Sequence, residues 1–535
     1  MGNCNVVYFS LKMKINGFTI LIPTWNNLSI LKLCLERLAR YSSYKHEIIL
    51  HINEGIDGTL EFAKTSGLKY TYSAQNVGVC CALNQAAALA TKSYICYMND
   101  DMMVCQNWDN ALIYEIEKRK SDLFYLSATM IEPVDTGNRC VISPKDYGRT
   151  PQDFRAEDLD KEYKLLSHAD WNGASWPPSV VSKRIWDAVG GYSEEFSPGM
   201  YSDPDFSMKL WKFGVRDFLG VSASRVYHFM SKSVSKLKNR GMGRKLFLTK
   251  WGVSSSTFYR HILKLGTSYS GPLDEPSISV RFLLDRIRDR LKHLLWSRSG
   301  INKIYNGVSA HKLYEAYDRG EYKRVATFKD SRRSLVQQIE IDGQMLVVKI
   351  PREKNTRKWQ RLLSIFRGGE SFREFHALMN GMSKGIPVPR PVAAMERRKF
   401  FFVVDSLIIM EWMGGRIAIK EDAEAVSLLL RRIHDAGLLH GDAHLSNFIV
   451  DKKGGVMTID CSLKRNFLGQ FGIKYEFITL ERSCIEPIQT YQKSGIAYYV
   501  ALFRDWLRQK KLKRKHLKNL KSSSRFGEVQ PGKDI

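Results

Sequence analysis

LLHGDAHLSNFIVDKKGGVMTIDCS, residues 438–462, is the stretch that decides how the C-terminal half is built. Asp442 follows His440-Gly441, and Asn447 comes five residues later. Two β-rich runs around a Lys-Gly-Gly turn then predict a hairpin that returns Asp460 to face Asn447. An Asp that accepts a hydroxyl proton, an Asn and a second Asp that hold a divalent ion, and a hairpin that sets their spacing are the parts of a phosphoryl-transfer loop. A lone His-Gly-Asp says little. The full spacing says much.

Upstream, the remaining parts come in the matching order. LVQQIEIDGQMLVVKI (335–350) alternates as a strand pair, and its Lys349 is placed to reach nucleotide phosphates. Glu374, on the helical pattern ESFREFHALMNG (370–381), can pair with Lys349, with Glu370 as its competitor. Each has a bland reading: a solvated lysine, an exposed helix glutamate, an aspartate that caps a loop. His440 reads as a hydrogen-bonder that braces the loop rather than as a base. LVVKIPRE, FREFHALMNGMSKGIPVPRP, LLHGDAHLSNFIV and TIDCS together resemble the lipopolysaccharide core heptose kinase family, within the wider protein-kinase-like group. The resemblance covers about 200 residues and implies an α+β kinase-like domain that phosphorylates a core sugar, a heptose being the expected one, with ATP and Mg²⁺ as co-substrate. In that reading Lys349 and Glu374 serve ATP, Asp442 is catalytic, and Asn447 and Asp460 hold the metal. Two departures stand out: TFKDSRRSLVQQ (327–338) has no glycine where a glycine-rich loop belongs, and Asp460-Cys461-Ser462 replaces Asp-Phe-Gly.

The N-terminal half has a different rhythm. FTILIPT, HEIILHI, YICYMND and DLFYLSATM alternate with the helical patterns ILKLCLERLARY and ALNQAAALA, which predicts an α/β domain on a mostly parallel sheet. The turn Pro23-Thr24-Trp25-Asn26 ends the first strand, the place where such sheets bind a nucleotide. Asn76-Val77-Gly78 precedes the Ala-rich helix. Asn99, Asp100 and Asp101 sit just past a strand end and suit a divalent ion that bridges a diphosphate, or else form a plain polar turn. Asp203, in SDPDF at a helix start, is the candidate base for inverting sugar transfer, N-capping being its alternative. His228 in RVYHFMSKS is a candidate for the metal site, or a core histidine.

ILIPTWNN, INEGIDGT, NDDMM, WNGASWPPSVVSKRIWDAVGGYSEEF and SDPDF resemble family 2 glycosyltransferases of the GT-A fold over about 215 residues. The resemblance implies a Rossmann-like sheet, a nucleotide-sugar donor and Mg²⁺ or Mn²⁺. It places Thr24 and Asn53, with Asn76 and Asp100, in nucleotide-sugar binding, and makes Asp101 the firmest metal ligand, assisted by Asn99 or Asp100, with His228 completing the site. Asn99 stands where a strict Asp-x-Asp begins, and Ser202 where Glu commonly precedes the catalytic Asp.

The expected layout is a GT-A domain over 17–230, a basic helical extension over 231–310, a kinase-like domain over 311–505 and a basic tail over 506–535. Composition is that of a soluble globular protein, 44% hydrophobic and 26% charged, with no apolar run of spanning length. The opening MGNCNV lacks a signal-peptide pattern and has Val6 where an acylation motif wants Ser or Thr. Nine scattered cysteines without a Cys-x-x-Cys predict a reduced, cytoplasmic chain. The net charge of +27 predicts an anionic partner. A lipid-linked glycan acceptor such as lipopolysaccharide core, on an anionic membrane surface, fits it, with electrostatic docking of the basic tail expected over insertion because Trp506, Leu507, Leu512, Leu517 and Leu520 make no clean stripe. A nucleic-acid-binding protein explains the charge and none of the acidic motifs, so no nucleic acid is expected. A further alternative keeps the transferase and reduces the kinase half to a pseudokinase that only binds.

Overall fold

The computed structural model describes residues 15–230, 240–307, 309–484 and 491–523. The opening residues, read as carrying neither signal nor acylation motif, lie outside the described residues, as does the end of the basic tail beyond residue 523. The described chain divides into two compact units. One takes in the chain up to Tyr322 with Asn355–Arg367 and Val392–Asp405; the other takes in Lys323–Lys354, Gly368–Pro391 and the chain from Ser406 onward.

The first unit is built on a nine-stranded sheet. Strands β1 (Thr19–Trp25), β2 (Glu47–Asn53), β3 (Lys69–Ser73) and β4 (Tyr94–Tyr97) pair in parallel in the order β3-β2-β1-β4. Helices α1 (Leu28–Tyr41), α2 (Thr59–Thr65) and α3 (Gly78–Ala87) lie in the crossovers. Parallel strands joined this way bury both faces, so their sequences run apolar instead of alternating. In β1, Ile20 and Ile22 enter one core with Leu31, Cys34 and Leu38 of α1, while Leu21 enters another with Cys80, Leu83 and Ala86 of α3. Beyond β4 the sheet becomes mixed. Strands β5 (Met102–Val104), β6 (Phe124–Ile131), β7 (Trp171–Asn172), β8 (Ser179–Ser182) and β9 (Asp217–His228) complete it, with β8 antiparallel between β4 and β6, and β9 parallel to β6. The parallel half carries the loops after β1, β2 and β3; the mixed half brings β5 and the end of β9 beside them, pairing Met102 with His228.

A buried ion cluster fixes the helix Ser202–Phe213. Asp205, fully buried, accepts from the Ser193 hydroxyl at 2.5 Å and the Trp251 indole N–H at 2.7 Å, and meets Lys250 Nζ at 3.0 Å. Lys250 also reaches Glu195 at 2.8 Å. Asn84 of α3 holds the preceding turn, accepting the Tyr192 N–H and donating to the Tyr192 carbonyl. Gly191, at φ +60°, is required there: a Cβ would stand 2.3 Å from the Asn84 side-chain oxygen.

The second unit opens with three antiparallel strands, Lys323–Asp330, Leu335–Ile341 and Gln344–Ile350. Leu346 and Val348 face the core by alternation, so Lys349 points to the other side. The helix Glu370–Ser383 follows, and Ile408–Glu411 pairs with the third strand. Then come the helix Ala423–Asp435, the hairpin Phe448–Val450/Val456–Thr458 and the helices Gly469–Glu481 and Ile496–Ser523. This is the expected α+β arrangement, with the predicted hairpin in place. The eight cysteines among the described residues are free thiols, six of them buried.

Lys250→Met would strip Asp205 and Glu195 of their direct ion-pair partner in the interior and leave them only the charge of Lys209 nearby. Denaturant unfolding is expected to show a loss of about 3–5 kcal/mol, the usual cost of stripping one partner from a buried ion pair.

Candidate active sites

In the first unit the ends of β1, β2 and β4, the start of α3 and the helix Ser202–Phe213 enclose a cleft of about 1100 Å³. Thr24, Asn53, Asn76, Asn99, Asp100, Asp101, Asp203 and His228 all line it. The Thr24 hydroxyl donates to Asp100 Oδ2 at 2.7 Å. Asn53 accepts the Val77 N–H at 2.9 Å and Asn76 accepts the Gly78 N–H at 2.8 Å, which shapes the entry to α3. Asn99 accepts from the Tyr97 hydroxyl at 2.7 Å. Burial, and then the charge of Asp101, push the Asp100 carboxyl up to about 7 against the Thr24 hydrogen bond.

Asp203 and Asp205, two residues apart, have opposite surroundings. Asp205 is locked in the ion cluster; Asp203 is part-exposed on the cleft wall and accepts only the Tyr192 hydroxyl, at 3.2 Å, among the hydrogen bonds identified. Asp203 is not the N-cap, since Tyr201 holds that position with φ +70°. Although one face of Asp203 meets the cleft, the protein strips most of its hydration, and burial raises its carboxyl to about 7.

His228 stands between two carboxylates. Its Nδ1 is 3.0 Å from Glu132 Oε1 and its Nε2 is 3.5 Å from Asp101 Oδ2. Burial alone would lower its pKa, but Asp101 and Glu132 outweigh it and raise the imidazole to about 10. Among the described residues no group of three His, Cys, Asp or Glu side chains is arranged to hold an ion. The donor chemistry still fits one: Asp101 and Nε2 of His228 face each other across the cleft wall, and Glu132 on Nδ1 orients the ring as carboxylates orient metal-bound histidines. The other positions would fall to substrate oxygens and water. Glu132 escaped the sequence reading. Its signal was a carboxylate directly after the fully buried β6.

In the second unit Lys349 Nζ lies 2.8 Å from Glu374 Oε1 and 2.7 Å from Asp460 Oδ1. Burial opposes the lysine's charge, yet the two carboxylates hold it well above the usual range; burial raises the Glu374 carboxyl, with Lys349 opposing. The competitor Glu370 pairs instead with Arg373, at 2.8 Å. Asn447 Nδ2 donates to the Asp442 carbonyl at 2.9 Å and lies 3.4 Å from its Oδ2, so the loop brings these two together. Asp460 follows the hairpin at φ +51°.

His440 is fully buried, 2.6 Å from the Thr458 hydroxyl, and takes the Asp442 N–H on Nδ1 at 3.2 Å. Glu476, which the sequence reading missed, holds the loop from below. Its Oε2 accepts the His440 N–H at 2.9 Å and lies 2.9 Å from His434 Nε2, and its Oε1 accepts the Gly441 N–H at 2.6 Å. Gly441, at φ +95°, leaves no room for a Cβ, which would meet Ser462 Oγ at 2.1 Å. Sequence spacing gave no sign of Glu476, which reaches the loop from a helix 36 residues on.

Residues 19–166 match the model of glycosyl transferase family 2, and residues 310–494 match that of the lipopolysaccharide kinase (Kdo/WaaP) family. The chain therefore carries a family 2 glycosyltransferase domain and a Kdo/WaaP kinase family domain. Two 3-deoxy-D-manno-octulosonic acid kinases of Vibrio vulnificus are each 28% identical to it: that of strain YJ016 over 116 residues, 19% of this chain and 46% of the relative, and that of strain CMCP6 over 104 residues, 17% and 42%. The chain spans less than half the length of these curated relatives. Among solved structures, S. aureus TarS 1–349 is similar at 12% identity and a TM-score of 0.32, covering 62% of this chain and 96% of that one. A second TarS structure aligns at 13% and 0.31, covering 62% and 67%.

Replacing Glu132 by Gln removes one of the two charges that hold His228 protonated. An NMR titration is expected to find the imidazole well below the value near 10 of the parent chain.

Proposed function

We propose that the chain is a bifunctional enzyme of bacterial surface-glycan assembly of the lipopolysaccharide type. Residues 17–230 transfer a sugar and 311–505 phosphorylate one, with 231–310 as a basic linking extension and 506–535 as a basic tail. The supporting observation is that each unit gathers its full set of candidate groups: eight around one cleft in the first, and Lys349, Glu374 and Asp460, with Asp442 beside Asn447, in the second.

For sugar transfer, Thr24, Asn53, Asn76 and Asp100 bind the nucleotide sugar at the strand ends. Asp101, with Asn99 beside it and with His228 once its Nε2 has given up its proton, would hold Mg²⁺ or Mn²⁺, which when bound offsets the charge of the departing diphosphate. Asp203 takes the proton from the acceptor hydroxyl as its oxygen attacks the anomeric carbon opposite the leaving group, so the configuration inverts. A base near 7 is well matched to neutral pH, since enough of it is ionised and its conjugate acid is weak.

For phosphorylation, Lys349, held by Glu374, aligns the ATP phosphates; Asn447 and Asp460 hold Mg²⁺; Asp442 accepts the proton of the sugar hydroxyl. The names of the Vibrio relatives make 3-deoxy-D-manno-octulosonic acid the first sugar to test, beside the heptose expected from sequence. The acceptor is a lipid-linked glycan at the cytoplasmic face of a membrane, whose anionic surface attracts a chain of net charge +27. No helix among the described residues is long and apolar enough to cross a membrane.

One observation favours a second reading, an active transferase with a pseudokinase. In the turn that replaces the glycine loop, Ser331 Oγ takes the N–H groups of Arg333 and Ser334, each at 3.3 Å, so these amides are engaged within the turn.

Phosphate transfer from labelled ATP and Mg²⁺ to dephosphorylated core glycan separates the readings. Incorporation by the parent chain that is lost in Asp442→Ala supports the kinase; none above the variant supports the pseudokinase. The transferase rate is expected to rise with pH through about 7, because the raised Asp203 must lose its proton to act. Asp203→Asn is expected to lower it by roughly 10²–10⁴-fold and to abolish that limb.

A further inference from the structure

The helix Val280–Trp296 in the first unit is amphipathic the wrong way round for a free surface. Asp285, Asp289 and His293, spaced by four, are its buried face. Asp285 meets His261 at 2.8 Å and Arg260 at 3.0 Å, and Asp289 accepts the Ser254 N–H at 2.8 Å. The apolar residues point outward: Val280 is 76% exposed, Leu284 62%, Ile287 57%, Leu291 56% and Leu295 59%. At helical spacing these fall in one stripe along a rod about 25 Å long. Arg281, Arg288 and Lys292 border the stripe on one side, Arg288 pairing with Asp285 at 3.0 Å, and Arg286 and Arg290 border it on the other, where they donate to the carbonyls of Gly252 and Ile365 and keep their charge. A contiguous apolar face on a soluble protein marks a binding surface.

We infer that this helix docks the chain on an anionic lipid surface, lying in the plane of the interface with Val280, Leu284, Ile287, Leu291 and Leu295 among the outer acyl segments. Charge complementarity selects that occupant. Basic borders on both sides of an apolar stripe match a layer whose headgroups are anionic and whose interior is hydrocarbon. A second copy of this chain would bring the same arginines against themselves. The second unit shows a like pattern on the helix Ile496–Ser523, where Ile496, Tyr499, Val500, Phe503, Trp506 and Leu507 are exposed along one side. The sequence reading found no stripe there because it began at Trp506, where the apolar half of the pattern ends. The side chains of 512–523 lie outside the described residues. The inference rests on the membrane-surface reading for the identity of the partner and is independent of either catalytic activity.

Flotation of the full chain with vesicles of phosphatidylglycerol and phosphatidylethanolamine, compared with phosphatidylcholine alone, tests it. The parent chain is expected to float with the anionic vesicles, and Ile287→Asp combined with Leu291→Asp to lose this by roughly tenfold or more. Both positions are exposed, so an unchanged circular dichroism spectrum shows that the fold is kept. A separate Ile287→Trp chain is expected to give blue-shifted emission on anionic vesicles. Flotation of the double variant like the parent, or unshifted emission, overturns the helix assignment and leaves the surface reading standing. A parent chain that binds no vesicle overturns both. A parent dimer that the double variant turns into a monomer, without vesicle binding, makes the face a self-association surface and also overturns the inference.

Discussion

In three places one cation stands between two carboxylates, and of these six carboxylates only Asp460, 58% exposed, keeps broad contact with bulk water. Lys250 joins Asp205 to Glu195, His228 lies between Asp101 and Glu132, and Lys349 joins Glu374 to Asp460. A desolvated carboxylate is costly unless it is paired or protonated, so these bridges decide which acidic side chains are fixed in place and which remain available. Asp205 is fixed and Asp203 is available, although they share one helical turn. The difference lies in Lys250, which comes from a separate helix.

The same constraint sorts the second unit. Glu374 rather than Glu370 takes Lys349, because alternation along Gln344–Ile350 turns the lysine to the side that Glu374 faces, while Glu370 has Arg373 beside it. Glu476 is bound by two backbone N–H groups and by His434, and so holds His440-Gly441 rigidly while Asp442 stays exposed at the loop surface. Rigid support beneath an exposed acid is what a site needs in order to place a proton acceptor accurately.

Much of this was legible in the sequence, and the reasons are local. Asp442, Asn447 and Asp460 are tied by a loop and a hairpin whose lengths are written in the chain, and β1 and β4 end where their apolar runs end, which put Thr24 and Asp100 in place. Glu132, Glu476 and Lys250 were not legible, because each acts across a distance of dozens of residues through a fold that must first exist. The mixed half of the first sheet was hidden for a related reason: β8 pairs with β4 and β6 by tertiary arrangement, and nothing in Ser179–Ser182 states a direction. The outward stripe on Val280–Trp296 was hidden as well. Periodicity reveals that a helix has two faces and leaves open which of them the protein covers.

Two sites of unrelated design in one chain are most simply understood if they serve one glycan, since linkage raises the local concentration of the first product at the second site. The most direct measurement is the intact mass of a lipid-linked core glycan after incubation with a nucleotide sugar, ATP and Mg²⁺, for the parent chain, Asp203→Asn and Asp442→Ala. The bifunctional reading predicts a product that carries both a sugar and a phosphate increment, with each variant losing its own increment. A parent product that never gains phosphate, or variants that each lose both increments together, would contradict two independent catalytic sites.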